Sequence, residues 1–249
     1  MPMLTDGLII RENNVGEADK FVTILTRDCG VIRAAARGSR RVNSRSAAAT
    51  QLLTHAQLSL REGKNNWYID DARPLHVFFS LHDDLEKLTL AQYFCELAGA
   101  VCPREEPAEA ALRLLLNALH FLAADQRPAS LLKATVECRL LAEAGYAPDL
   151  SACARCGETK GTLFLLPNEG RLVCEDCGGS RFPLSPAALA ALRRLVGGTL
   201  EQSFTVTLPP NECEPLAAAV EAFTLAQLGR GFATLDFYHT LHTGKDDFQ

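Results

Sequence analysis

Near residue 80 the hydrophobic pattern of this chain switches from the strand period of about two to the helical period of about 3.6. No other feature limits the fold more. Before the switch come five short runs: DGLIIRE, KFVTILTR, GVIRAAAR, LTHAQLSLRE and NWYIDDA. Phe21, Thr23 and Leu25 alternate with Val22, Ile24 and Thr26, and Leu58 and Leu60 alternate with Ser59 and Arg61. Turn residues separate the runs at Asp28-Cys29-Gly30 and at 63–66. Five strands this short predict a small Greek-key barrel of the OB type. The stretch from Gly38 to Thr50 carries no strand pattern and is expected to be a loop or partly helical excursion.

Beyond His82 the sequence reads as helix. DDLEKLTLAQYFCELAGAV places Leu85, Leu88, Phe94, Leu97 and Val101 near one face, with Asp83 and Asp84 at its start, where the helix dipole favours negative charge. PAEAALRLLLNALHFLA begins at Pro107 and is apolar almost all round, which predicts deep burial. PASLLKATVECRLLAEAGY runs from Pro128 to the stop at Gly145. After an interruption at 150–182, helix resumes with Ser185 as N-cap and Pro186 in the first turn, and PLAAAVEAFTLAQLG reads as the last long helix. The expected fold class is multi-domain α+β. It comprises an N-terminal OB-fold β-barrel (1–79), an all-α helical domain in two parts (80–150 and 182–249), and a four-cysteine zinc module inserted at 151–181.

That module is signalled by spacing. Cys153-x2-Cys156 is followed after 17 residues by Cys174-x2-Cys177. Each CxxC forms a knuckle that aims two thiolates at one point, and two knuckles supply a tetrahedral set of soft ligands for Zn2+. Gly157 and Gly178-Gly179 permit the sharp turns, and TLFLLP and RLVC predict a hairpin around Asn168-Glu169-Gly170. Arg155, Lys160 and Arg171 offset the charge of a four-thiolate centre. Four cysteines close the coordination sphere, so one structural zinc per chain is expected, with redox chemistry at the CxxC pairs as the alternative. Cys29, Cys95, Cys102, Cys138 and Cys213 stand alone in apolar surroundings and read as small buried hydrophobes.

Charge points to a second site. The net charge is -5, but residues 1–75 hold 11 Lys+Arg against 8 Asp+Glu while the remainder holds 14 against 22. No acidic residue lies between Asp28 and Glu62. In that interval IRAAARGSRRVNSR carries Arg33, Arg37, Arg40, Arg41 and Arg45. Guanidinium forks suit phosphate, and Gly38, Ser39, Ser44 and Ser46 are expected to add donors near a phosphodiester. A solvated basic loop is the bland alternative. Aromatic residues for base stacking are few here: Phe21, read as core, and Trp67 and Tyr68, read as either exposed or packed. Binding is therefore expected to be electrostatic, weakly sequence-selective and strongly salt-dependent.

Several classes are disfavoured. The chain has no GxxxxGK[ST], HExxH or GxSxG, and no HxE paired with PCxxC, so it is read as no enzyme. His239 and His242 read as an incidental pair. Without a long uncharged apolar stretch or a signal peptide, a cytoplasmic chain with no membrane span is expected.

The run GLIIRENNVGEADKFVTILTRDCGVIRAAARGSRR, the segment LLAEAGYAPDLSACARCG and the later CEDC resemble the RecO family of bacterial recombination mediators, over roughly residues 3–242. The resemblance implies recombinational DNA repair with binding of single- and double-stranded DNA and annealing of complementary strands. It also implies partnership with RecR, contact with the tail of the single-strand-binding protein, help in loading RecA, and association with the nucleoid during repair. It carries DNA contact onto Arg37, Arg40 and Arg41, and more loosely onto Arg33 and Arg45. Arg193 and Arg194, beside Leu192 and Leu195, are candidates for the acidic-tail site. An interaction scaffold and an RNA- or transcription-associated zinc-ribbon protein are the other readings.

Overall fold

The middle of the first strand, β1 (Met3–Val15), is apolar on both faces. Leu8, Ile9 and Ile10 are consecutive and all buried. A strand with that pattern needs cover on each side. A computed structural model, describing residues 2–64 and 66–246, shows how the cover is supplied. Ile9 points into a closed five-stranded barrel, and Ile10 packs outward against a helix, with its Cδ1 3.4 Å from where a Cβ on Gly99 would stand.

The barrel continues through β2 (Asp19–Thr26), β3 (Gly30–Ala36), β4 (Thr54–Glu62) and β5 (Trp67–Val77). Its strand order is β1-β2-β3-β5-β4, closed by β1 against β4 and by a short parallel pairing of β3 with β5. This is the OB-like barrel that the alternation predicts. Val22, Ile24, Ile32, Ala34, Leu58, Leu60 and Ala72 fill its interior. Residues 38–50 form turns that end in a 3-10 turn, Ala48–Thr50. Gly63 N–H donates to Asn66 O (3.0 Å) in the β4–β5 turn, of which Asn65 lies outside the described residues.

The described chain has seven α-helices: α1 (Leu85–Val101), α2 (Glu109–Ala123), α3 (Ala129–Glu143), α4 (Pro186–Gly197), α5 (Leu200–Phe204), α6 (Pro210–Leu228) and α7 (Ala233–Asp246). The pattern predicts five. The extra two are the short α5, opened by a Thr199–Gln202 capping box, and α7. Among the described residues no helix is long and apolar enough to cross a membrane.

By contact the chain divides into two compact units, residues 1–124 with 232–249, and residues 125–231. α1, α2 and α7 thus go with the barrel, dividing the helices otherwise than the sequence boundaries at 80–150 and 182–249 do. Two helix faces also differ from expectation. Asp84 caps α1 by accepting from Glu86 and Lys87 N–H, but Leu85 is exposed and Leu90, Ala91, Phe94, Leu97 and Ala98 are buried. α2 is buried on one side only, with Arg113, Asn117 and His120 exposed.

In the second unit α3 is nearly surrounded, with Leu131, Leu132, Val136, Leu140 and Leu141 all buried. A four-stranded sheet joins it, in the order β6 (Asp149–Cys153), β8 (Arg171–Cys174), β7 (Leu163–Leu166), β9 (Pro183–Leu184). β7 and β8 form the predicted hairpin, turning at 167–170. Arg193 of α4 donates to Leu150 O (2.6 and 2.8 Å) and Ser151 O (3.0 Å), and Gln227 of α6 donates to Pro167 O (2.9 Å). These bonds fasten the sheet to two helices of its own unit.

Candidate nucleic-acid interface and metal centre

Because Ile32, Ala34 and Ala36 turn inward, Arg33 and Ala35 lie on the outer face of β3, and exposed Arg37 follows directly after the strand's end. Strand register places Phe21 of β2 on one side of Ala35 and Tyr68 of β5 on the other. The Arg33 guanidinium lies 4.3 Å from the Phe21 ring centroid, and that of Arg37 lies 5.0 Å from the Tyr68 centroid. Arg61, paired with Tyr68 across β4 and β5, brings a third guanidinium to 5.0 Å of the same ring and holds Asp70 at 3.2 Å. Arg61 lies in the acid-free interval but outside the candidate set. Only the strand register, which no local run reveals, brings it to this face.

Phe21 is therefore not core. Its neighbours Val22 and Ile24 fill the barrel, and alternation leaves Phe21 half-buried on the outside. Of the two open positions, Trp67 packs against the barrel core and Tyr68 faces outward beneath the arginines.

After Arg37 the chain folds back over the β1–β2 turn. Gly38 N–H donates to Asp19 Oδ1 (2.7 Å) and Arg40 N–H to Ala18 O (3.0 Å). The Arg40 guanidinium donates to Gly16 O (2.7 Å), so this arginine ties two turns together. Ser39 is also turned inward, buried and donating to Ala36 O (2.9 Å), so its hydroxyl does not face solvent as expected. Ser44 and Ser46 bond each other at 3.2 Å. Arg41 and Arg45 are exposed, on either side of a fully exposed Val42. The fold thus brings Arg33 and Arg37 onto one ring-backed face, carries Arg41 and Arg45 into the following turns, and gives Arg40 an internal partner.

In the second unit the strand ends collect the cysteines. Cys153 closes β6 and Cys174 closes β8, and the parallel pairing of these strands brings the two knuckles together. The Sγ atoms of Cys153, Cys156, Cys174 and Cys177 all lie within 4.8 Å of one another, with Cys156 and Cys174 at 3.6 Å. A tetrahedral Zn–S shell with bonds of about 2.3 Å has S···S edges of about 3.8 Å, so the four residues fit such an ion. Gly157 (φ +79°) and Gly178 (φ +97°) take the left-handed conformation that turns each knuckle. The Arg155 guanidinium donates to Cys177 O across the site.

The thiols are electrostatically unequal. Burial alone would raise Cys153, but the backbone N–H groups of Cys174, Arg155 and Cys156 and the Cys156 thiol together hold it down to about 6. Cys177 is pushed up to about 12 by hydrogen bonding with Cys174 and Cys156. Cys156 is drawn down by the Glu158 N–H, yet ends up raised because Cys153 and Cys174 outweigh it. Neighbouring thiolates repel, and a soft divalent cation is what lets all four ionise together.

The solitary cysteines behave as small hydrophobes in part. Cys95, Cys138 and Cys213 are buried, and burial raises each thiol, that of Cys95 to about 12. Cys29 and Cys102 are half-buried. Arg193, a candidate for the acidic tail, instead directs its donors at Leu150 and Ser151. Arg194 is exposed, 3.4 Å from Thr205 Oγ1.

The chain matches two family models, "Recombination protein O N terminal" over residues 1–78 and "Recombination protein O C terminal" over residues 82–236. It is 34% identical to the DNA repair protein RecO of Symbiobacterium thermophilum, over 96% of this chain and 98% of that one. It is 30% identical to the protein of the same name from Acetivibrio thermocellus, over 95% and 96%. With that of Roseiflexus it shares 37%, over 93% and 84%.

Proposed function

Since the chain belongs to the RecO family of DNA repair proteins, we propose that it is a non-enzymatic mediator of recombinational repair. It binds single- and double-stranded DNA and anneals complementary strands. With RecR it helps load RecA onto DNA coated by the single-strand-binding protein, whose acidic tail it contacts.

The observation that carries this reading is the outward pair of Arg33 on β3 and Arg37 just past its end, extended by exposed Arg41 and Arg45. Such a row neutralises phosphate charge along a strand and lowers the repulsion between two strands brought together. Arg40 adds charge beside it while holding Gly16. In the second unit Cys153, Cys156, Cys174 and Cys177 would hold one Zn2+. A bound ion there supplies a cross-link between knuckles and, with four protein ligands, leaves no position for substrate.

Annealing of complementary strands coated by the cognate single-strand-binding protein tests the proposal. Wild type is compared with Arg33→Ala/Arg37→Ala/Arg41→Ala, which spares the Arg40 bond. Each phosphate that is no longer neutralised takes roughly 0.7 from the salt slope on single strands, so the variant's slope should flatten by about 2. Equal annealing by the two proteins places DNA elsewhere on the surface. No annealing by wild type favours a scaffold that recruits partners.

A further inference from the structure

Across the outer barrel face the register lines up Phe21, Ala35, Tyr68 and Arg61 on β2, β3, β5 and β4. Barrels of this type often use such rings to stack bases. Here the rings already have partners. Arg33 lies over Phe21 at 4.3 Å, and Arg37 and Arg61 both lie 5.0 Å from the Tyr68 centroid. A base stacking on either ring must compete with a guanidinium for it.

We propose that Phe21 and Tyr68 act as seats for arginine, which makes the DNA face a reader of phosphate that is indifferent to the bases. The inference rests on the DNA-binding reading above and assigns the rings a role within it. An arginine side chain free in water carries about 2 kcal/mol of rotamer entropy, part of which is lost when it grips a phosphate. A guanidinium resting on a ring has lost some of that freedom beforehand, while its N–H edges stay open to an anion. Ala35 keeps the floor between the rings low, so neither seated arginine is crowded from below. No carboxylate pairs with Arg33 or Arg37 among the described residues, whereas Arg61 shares its charge with Asp70 at 3.2 Å. Arg33 and Arg37 therefore face the phosphates, and Arg61 serves as the far wall of the Tyr68 seat. Arg33 lies on β3 and Arg37 one residue past its end, so the two are at most about 13 Å apart at Cα, which sets a bound backbone running along β3 toward the following turn.

The test measures binding of the full-length protein to labelled oligo-dT and to an abasic oligomer of the same length. Wild type should bind the two within about twofold, because base–ring stacking, typically about 1–3 kcal/mol per base, would favour the base-bearing strand by about fivefold or more. Phe21→Leu/Tyr68→Leu should weaken both strands by the same factor, about three- to tenfold. Tyr68→Phe keeps the ring and should change neither. A clear wild-type preference for dT, or a loss in the leucine variant confined to dT, overturns the seats in favour of stacking. The wild-type comparison decides even if the leucine variant does not fold. If Arg33→Ala/Arg37→Ala binds both strands like wild type, DNA does not lie on this face and the underlying reading fails first, taking the seats with it.

Discussion

Within the second unit, Lys133 is buried between two carboxylates. Its Nζ lies 3.1 Å from Glu137 Oε1, one turn along α3, and 2.7 Å from Glu221 Oε2 on α6. The side chains of Lys133 and Glu137 are 4% and 0% exposed and that of Glu221 is 19% exposed, so water screens Glu137 least. Lys133→Met keeps the length and apolar stem of the side chain but removes the ammonium that both carboxylates bind. Breaking a buried pair in this way costs about 3–5 kcal/mol, which corresponds to a shift of about 1–3 M in a urea midpoint. Far-UV circular dichroism during urea unfolding reads that shift. Adding Glu137→Leu removes the more deeply buried charge and leaves the partly exposed Glu221, so the double variant should recover most of the loss. The pH dependence has a definite sign. Burial lowers Lys133, but Glu137 and Glu221 more than compensate and raise it above the ordinary lysine value. The stabilisation is therefore complete below the unfolded lysine value near 10.5 and disappears only as pH rises through the folded one. A Lys133→Met midpoint within about 0.3 M of wild type at about pH 7 would refute this reasoning, since the ammonium would then contribute little to holding the buried carboxylates.

Three further outcomes follow from the geometry. A Cβ at Gly30 (φ +59°) would stand 2.2 Å from Pro103 O and 2.7 Å from Glu106 O, so Gly30→Ala should cost about 3 kcal/mol or more, read from the fluorescence of Trp67 on unfolding. An unchanged transition would mean that Pro103 and Glu106 do not close on Gly30 as tightly as these distances require. Stoichiometric zinc analysis should give one ion per chain, and chelation should expose thiols and speed amide exchange across 149–177; a zinc-free protein that melts normally with four reactive thiols removes the metal assignment. Arg40→Ala should lower barrel stability by about 1 kcal/mol through the broken bond to Gly16 O, while Arg41→Ala changes it by less than about 0.5, both from the same Trp67 transition.

The barrel is legible in the sequence because period-two alternation is a direct consequence of one inward and one outward face, and residues such as Val22, Ile24, Leu58 and Leu60 keep it strictly. Alternation misleads where strands are covered twice. Leu8, Ile9 and Ile10 give none because α1 supplies a second apolar neighbour, and the same covering draws α1 into the barrel's unit. Phe21 reads as core only if hydrophobicity outweighs register, since its odd position beside Val22 and Ile24 sets it outside. α7 is hard to see because Thr, Phe, Tyr and His weaken helix propensity over ATLDFYHTLHTGKD. The Lys133–Glu137 pair is hidden for a different reason. Lysine and glutamate four apart on a helix look like a solvated face, and only the packing of α6 on α3 makes them interior. The cysteine cluster is readable because ligand spacing is nearly independent of the surrounding fold.

The arginines show what a charge run can and cannot say. Counting positive charges in ARGSRR treats its members as equivalent, because at long range a polyanion responds to their sum. At contact range the number of open N–H edges matters instead, and here the fold divides them. Arg40 directs its guanidinium at Gly16 O, as Arg139 does at Gly198 O (2.6 Å) and Arg193 at Leu150 O (2.6 Å), each closing a gap between segments distant in sequence. Arg33 and Arg37 lean on rings, which occupy the guanidinium face and leave its donor edge open. The difference comes from the partner: a carbonyl accepts the same N–H groups that phosphate needs, whereas a ring does not. An arginine on an aromatic seat is therefore both ordered and available, and an arginine on a carbonyl has part of its donor edge committed. By that criterion the proposed DNA face would centre on β3 and the turns beyond it, upstream of where the densest part of the basic run would put it.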